Sequence, residues 1–222
     1  MRNRVVQFIC VCFFVASSSV SLLGQQTLNN LDYSLHFRQG KSYFDEKNYV
    51  AAHEEFTSYL SNLRNEAQEQ ASEKILAEYY VAICSIYSMR PDAEVVADRF
   101  AASHPETPQS VKLIKEIGSF FYETGDWLRA IKYLSNASVT NLEWKYKLAV
   151  SYYKTNLLKE ALALFSEIKK EESEPEYAIP ATYYAGVLHV GNQQYSEAIE
   201  DFKLVANHPK YGEDVPAWIT SA

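Results

Sequence analysis

The chain is poor in the residues that build disulfide frameworks and tight turns. Its 222 residues include only three cysteines, seven glycines and seven prolines. Cys10 and Cys12 lie within the first 24 residues, so a chain that loses this segment keeps only Cys84 and forms no internal disulfide. The shortage of glycine and proline argues against an all-β sandwich or barrel with many tight turns. The chain must therefore be held together by packing alone.

The chain also lacks an excess of positive charge and the motifs of common catalytic sites. Its 28 acidic and 21 basic residues give a net charge of -7, which argues against a nucleic-acid partner. It has no HExxH pair, no zinc-type Cys/His spacing, no glycine-rich phosphate loop and no G-x-S-x-G elbow. The sequence therefore predicts no catalytic residues, no cofactor and no metal, and a protein that is not an enzyme.

A long hydrophobic run occurs only at the N-terminus. Arg2 and Arg4 precede the apolar residues 5–16, and the segment 17–24, rich in small residues, follows. This order predicts a signal peptide over residues 1–24, a short linker over residues 25–31, and an exported protein of the periplasm or outer cell envelope. The alternative is that residues 5–24 stay uncleaved as a membrane anchor, which would then provide the chain's membrane contact.

The rest of the chain is rich in regularly spaced small and large apolar residues. A small residue is followed twelve positions later by another compact residue, and four positions after that by a large apolar one. Five sets share this spacing: Gly40–Ala52–Phe56, Cys84–Val96–Phe100, Gly118–Ala130–Leu134, Ala149–Ala161–Phe165 and Gly186–Ala198–Phe202. The surrounding segments have the i, i+3, i+4, i+7 spacing of amphipathic helices. The pattern predicts helix–turn–helix units whose small residues lie where the two helix axes approach most closely.

These spacings resemble the tetratricopeptide repeat, a helix–turn–helix unit of 34 residues. The resemblance covers residues 32–222 and implies an all-α solenoid of about five repeats plus the start of a sixth. The repeats are expected near residues 33–61, 77–106, 111–139, 142–174 and 179–210, with a partial copy over 215–222. The family's early tryptophan is missing from every copy, and the second copy is degenerate at its turn. A polar insertion, within residues 62–73, separates the first two copies.

The last residues repeat the beginning of the fifth copy. Val215-Pro216-Ala217 matches Ile179-Pro180-Ala181 in residue type and position. Because a repeat array normally ends in a polar capping element, we expect the sequence to be the N-terminal part of a longer array of an exported, bacterial-type protein. An uncapped last helix would favour self-association. The alternative is a short terminal helix that acts as a poor cap.

The resemblance implies a non-enzymatic scaffold that binds a protein or peptide, of unknown identity, on the concave face lined by the first helix of each repeat. The candidate groove residues are Phe37, Lys41, Phe44, Lys115, Tyr122, Tyr146, Tyr153 and Tyr183. A second interpretation is that many of these aromatic residues only pack the repeats together. A second function is also open: a spacer or assembly module of a larger membrane-associated protein whose active part lies beyond residue 222.

Overall fold

The computed structural model of the chain is helical throughout the residues it describes. These residues are 35–63, 71–105, 107–136, 141–171, 173–213, 215 and 217, and they contain no strand. The helices are α1 (residues 35–45), α2 (Tyr49–Asn62), α3 (Ala71–Tyr87), α4 (Ala93–Ser103), α5 (Pro108–Glu123), α6 (Trp127–Asn136), α7 (Leu142–Lys154), α8 (Leu158–Ile168), α9 (Pro175–Gly191) and α10 (Tyr195–Val205). The all-α prediction is confirmed, whereas the predicted signal peptide and linker lie outside the described residues.

The helices fall into two compact units that divide after Pro105. The first unit contains two helical hairpins, α1–α2 and α3–α4, and α3 packs on both α2 and α4. The second unit contains three hairpins, α5–α6, α7–α8 and α9–α10, in which each helix packs on the next. The first helices of neighbouring hairpins, α5 with α7 and α7 with α9, also contact each other. Each unit is therefore a stack of consecutive hairpins, as expected for helical repeats.

The hairpins close where a small residue of the first helix meets a large apolar residue of the second. A Cβ atom added to Gly118 would lie 2.6 Å from Leu134 Cδ2, and one added to Gly186 would lie 2.7 Å from Phe202 Cε1. Leu134 and Phe202 are fully buried. Such distances leave no room for a side chain, so glycine is required at these close approaches. The predicted role of the small residues is confirmed in these hairpins.

The second hairpin differs from the other four at its turn. Met89 has a backbone φ of 52°, in the left-handed region, and comes five positions after Cys84. The corresponding turn residues of the other hairpins come seven positions after their small residues: Lys47, Gly125, Asn156 and Gln193. The first small position of this hairpin is therefore held by Ala82, which is fully buried, and the alignment on Cys84 was wrong by two residues.

Two first helices begin earlier than the sequence spacing predicted. Helix α3 begins at Ala71 rather than near residue 77, and α9 begins at Pro175 rather than near residue 179. Glu73 lies in the first turn of α3, where its charge favours the helix dipole, and Tyr59 Oη donates to Glu73 Oε2 at 3.1 Å. Proline is accommodated at the start of α9 because the first helical N–H groups have no partner within the helix.

A buried carboxylate joins the last three helices of the second unit. Asp201, on α10, is only 2% exposed. Lys169, at the C-terminal end of α8, donates from Nζ to Asp201 Oδ1 at 2.6 Å, and His189 Nδ1, on α9, lies 2.9 Å from Asp201 Oδ2. Both carboxylate oxygens therefore have partners, as a buried charge requires.

The described part of the predicted sixth repeat packs on α10. Val215 is helical, 2% exposed, and clusters with Ala198, Phe202 and Val205. The chain beyond residue 217 lies outside the described residues, so the predicted partial copy and its lack of a cap remain predictions.

Candidate functional site

The candidate groove residues of α5 contact side chains of the neighbouring hairpin. Lys115 Nζ lies 4.3 Å from the centroid of the Trp144 ring, a cation–π contact between α5 and α7. Tyr122 packs edge-on against Trp127 with 5.5 Å between ring centroids, and Lys147 Nζ lies 5.8 Å from the Tyr122 ring centroid. The two predicted residues of α5 are therefore half-buried and lie beside α7.

The candidate residues of α7 and α9 form a continuous series of ring contacts. Tyr146 packs against Tyr177 with centroids 5.8 Å apart, and Tyr153 packs against Tyr184 with centroids 5.2 Å apart. Tyr183 in turn lies 5.1 Å, centroid to centroid, from Tyr211, which follows α10. We call the half-buried tyrosines of this surface the tyrosine face: Tyr122, Tyr146, Tyr153, Tyr183, Tyr184 and Tyr211.

The hydroxyl groups of the tyrosine face lie near one another. Burial raises the pKa of Tyr146, and the nearby phenols of Tyr184, Tyr211 and Tyr122 raise it further. Burial also raises the pKa of Tyr122 and of Tyr184. These phenols therefore stay protonated at neutral pH and can donate hydrogen bonds.

A lysine with two carboxylate partners lies beside the tyrosine face. Lys147 Nζ is 2.8 Å from Glu143 Oε1 and 3.3 Å from Glu123 Oε1, and its side chain is only 13% exposed. Burial lowers the pKa of Lys147, but the hydrogen bonds and charges of Glu143 and Glu123 outweigh burial and raise the pKa above its usual value. Lys147 therefore remains charged and ties the end of α5 to α7.

The candidate groove residues of the first unit are placed differently. Phe37 packs on Tyr59 with centroids 5.1 Å apart, and Phe44 packs on Tyr80 with centroids 4.9 Å apart. Lys41 is exposed. Both phenylalanines are half-buried and join the cluster around Phe56, so they contribute mainly to packing between hairpins. Tyrosines also lie around them: Tyr49 packs on Phe44 with centroids 5.6 Å apart and on Tyr87 with centroids 4.7 Å apart.

Sequence reasoning missed four residues that shape this surface: Trp144, Lys147, Tyr184 and Tyr211. Tyr184 is adjacent to the predicted Tyr183, but the helical spacing assigns neighbouring positions to different faces, so it was not selected. Trp144 and Lys147 lie on the same helix as the predicted Tyr146 and Tyr153. Tyr211 follows the last helix and belongs to no helical period, so no signal in the sequence identified it.

The described residues include no group of three or more His, Cys, Asp or Glu side chains arranged to hold a metal ion. Cys84 is buried, and burial raises the pKa of its thiol to about 12, which suits a packing residue rather than a nucleophile. Among the described helices, none is both long enough and apolar enough to cross a membrane.

Comparison with known proteins supports the helical-repeat interpretation. The model of the family described as anaphase-promoting complex, cyclosome, subunit 3 matches residues 87–168. Two structures of nearly identical TPR-like repeats, assigned to a kinesin light chain of Podospora anserina, are 13% and 14% identical to this chain, each with a TM-score of 0.52. The two matches span 85% and 83% of this chain, and they span 96% and 93% of the two matched chains, respectively.

A third structure, the C-terminal part of a TPR repeat-containing protein from Cytophaga hutchinsonii, is 16% identical with a TM-score of 0.49. It covers 85% of this chain, and 83% of its own chain is covered. No curated protein sequence matches the chain.

The stacked hairpins define an α-helical repeat protein. Within that class, the family-model match and the similar solved structures support the resemblance to tetratricopeptide-repeat proteins that the sequence spacing predicted. The fold generally mediates protein–protein interaction, and proteins that have it are typically non-enzymatic scaffolds.

Proposed function

We propose that the chain is a non-enzymatic scaffold that binds an extended segment of a protein partner on the tyrosine face of its second unit. The observation that carries this proposal is the convergence of half-buried phenols from α5, α7, α9 and the turn after α10. Tyrosine offers a large contact area at a small loss of side-chain entropy, and it is enriched among the residues that dominate binding energy. The phenol hydroxyls can donate hydrogen bonds to the backbone carbonyls of a bound segment.

We expect alanine substitution in the tyrosine face to weaken peptide binding at least tenfold. Twelve-residue peptides would be selected from a random displayed library on the whole chain, and their affinities measured by fluorescence anisotropy. Tyr153→Ala and Tyr183→Ala remove rings from the face, whereas Tyr195→Ala removes an exposed ring from α10 and serves as the matched control. A tenfold loss corresponds to about 1.4 kcal/mol, which is typical of a residue that contributes strongly to binding.

The corresponding phenylalanine variants separate hydrogen bonding from packing. Tyr153→Phe and Tyr183→Phe keep the rings, so we expect a smaller loss of affinity than with alanine and an unchanged midpoint of urea unfolding. If the Tyr195→Ala variant loses as much affinity as Tyr153→Ala, or if the selected peptides bind both alanine variants normally, the tyrosine face is not the binding surface.

We also propose that the scaffold works after export, in the periplasm or outer cell envelope. The basic start, the apolar residues 5–16 and the small residues 17–24 support this location. A fusion of residues 1–31 to alkaline phosphatase, which is active only after export, should be active in a bacterial host. The paired variant Phe13→Arg/Phe14→Arg interrupts the apolar run and should abolish that activity. Equal activity of the two fusions would contradict export by this segment.

A further inference from the structure

A cavity of about 540 Å³ lies within the first unit, and none of the predicted groove residues lines it. It is open to solvent, and its lining comes from the C-terminal part of α2, from α3 between Ala71 and Val81, and from α4. The lining is mainly apolar and includes Leu60, Ile75, Val81, Val96 and Phe100. We call it the α2–α4 pocket. Its volume lies in the range of pockets that bind small ligands or side chains of a partner.

The pocket arises from two departures of this hairpin from the repeat pattern. The second small position of the other four hairpins is a fully buried alanine: Ala52, Ala130, Ala161 and Ala198. In this hairpin α4 instead buries Ala93, Ala97 and Phe100, whereas Val96 is only half-buried and lines the pocket. In addition, the early start of α3 at Ala71 supplies Lys74 and Ile75 to the lining.

The charge available at the pocket is positive. Lys74 and Arg99 are exposed at its edge, and neither forms an ion pair with any described residue. The carboxylate in the lining, Glu78, is engaged by His104, with 2.6 Å between Glu78 Oε2 and His104 Nε2. Two cations without an ion-pair partner among the described residues therefore flank an apolar cavity in a chain whose net charge is -7.

We propose that the α2–α4 pocket binds a peptide segment of a protein partner in which a bulky apolar side chain lies next to a carboxylate. The apolar side chain would enter between Val96 and Ile75, and the carboxylate would pair with Lys74 and Arg99. A pocket open to solvent suits a side chain presented by a partner's surface, and the cations at its edge determine the sign of the neighbouring charge. The proposal concerns a different unit and a different chemistry from the tyrosine face, so either can hold without the other.

The test is a selection of peptides that require the pocket. A random displayed library of twelve-residue peptides is selected on the whole chain after depletion on Val96→Trp, whose side chain should fill the cavity. Val81→Phe provides a second filled variant, and each must retain the helical circular dichroism and urea midpoint of the parent. We expect the enriched peptides to carry Asp or Glu beside Leu, Phe, Ile or Trp.

Charge variants then test the assigned cations. Lys74→Ala/Arg99→Ala should weaken binding of the enriched peptides at least tenfold, whereas Lys159→Ala/Lys203→Ala, which removes two exposed cations from α8 and α10, should change it less than twofold. Selection on Lys74→Glu/Arg99→Glu should instead enrich peptides with Lys or Arg beside the apolar residue. Decanoate, a free fatty acid, is tested as the alternative ligand of the α2–α4 pocket, and its affinity is compared with that of the selected peptides.

Four results would overturn the proposal: no pocket-dependent peptide is enriched; the enriched peptides lack an acidic residue; both pairs of alanine substitutions weaken binding equally; or decanoate binds the pocket more tightly than every selected peptide.

Discussion

Replacement of Asp201 by alanine is expected to lower the free energy of unfolding of the second unit by about 3 kcal/mol. Removing one partner of a buried ion pair typically destabilises a protein by about 3–5 kcal/mol, because the remaining charge stays buried without compensation. Here His189 and Lys169 would both lose their carboxylate partner. The lower end of the range applies because the Lys169 side chain is 23% exposed and can turn toward water.

The matched control is Glu167→Ala. Glu167 pairs with Lys145 at 3.2 Å, also between neighbouring helices, but its side chain is 59% exposed. Exposed pairs contribute about 0.2–1 kcal/mol, so urea unfolding followed by circular dichroism should separate the two variants clearly. Asp201→Asn, which keeps the shape of the side chain but removes its charge, should fall between them. If Asp201→Ala and Glu167→Ala have the same unfolding midpoint, the buried carboxylate does not hold the three helices together.

Much of the fold could be predicted because the packing of helical repeats requires small and large apolar residues at a regular spacing in the sequence. The distance of sixteen positions between Gly118 and Leu134, or between Gly186 and Phe202, reflects a contact that each hairpin makes within itself. Contacts within one hairpin depend on local geometry and recur in every copy. Spacing alone therefore identified the order of the helices and, outside the second hairpin, the residues at their closest approach.

The buried network around Asp201 could not be predicted in this way. Asp201 adjoins the apolar Phe202 on an amphipathic helix, where a charged residue ordinarily faces solvent. Its burial depends on Lys169 at the end of α8 and His189 on α9, which come from two different hairpins. Asp201, Lys169 and His189 do not recur at the same positions of the other hairpins, so no periodic signal in the sequence relates them.

The sequence also misplaced the second hairpin for a physical reason. The turn at Met89 comes early, and Pro91 and Asp92 lengthen the connection to α4 by a compensating amount. Cys84 and Phe100 therefore keep the expected spacing of sixteen positions, although the turn between α3 and α4 lies earlier in the sequence than this spacing predicts. The α2–α4 pocket follows from this irregular hairpin, so a search for regularity could not reveal it.

Replacement of Gly186 by valine is expected to lower the free energy of unfolding by about 2–3 kcal/mol. A Cβ atom at this position would lie 2.7 Å from Cε1 and 3.0 Å from Cδ1 of Phe202, a ring with no exposed surface. Inserting carbon atoms into a filled core typically costs about 1–3 kcal/mol, and the ring has no flexible end that can move aside. Gly191→Val, in the same helix, is the matched control, since no atom lies within 4 Å of a Cβ atom there. Urea unfolding should show little change for that variant.

A double-mutant cycle connects this effect to the contact itself. Phe202→Ala alone should cost about 3–5 kcal/mol, because it leaves a cavity in a fully buried site. In the double variant the valine at position 186 can occupy part of that cavity, so the combined loss should be smaller than the sum of the single losses by at least about 1 kcal/mol. Losses that add to within about 0.5 kcal/mol would show that Gly186 and Phe202 act independently. The repeated spacing of sixteen residues would then reflect something other than the close approach of the two helices.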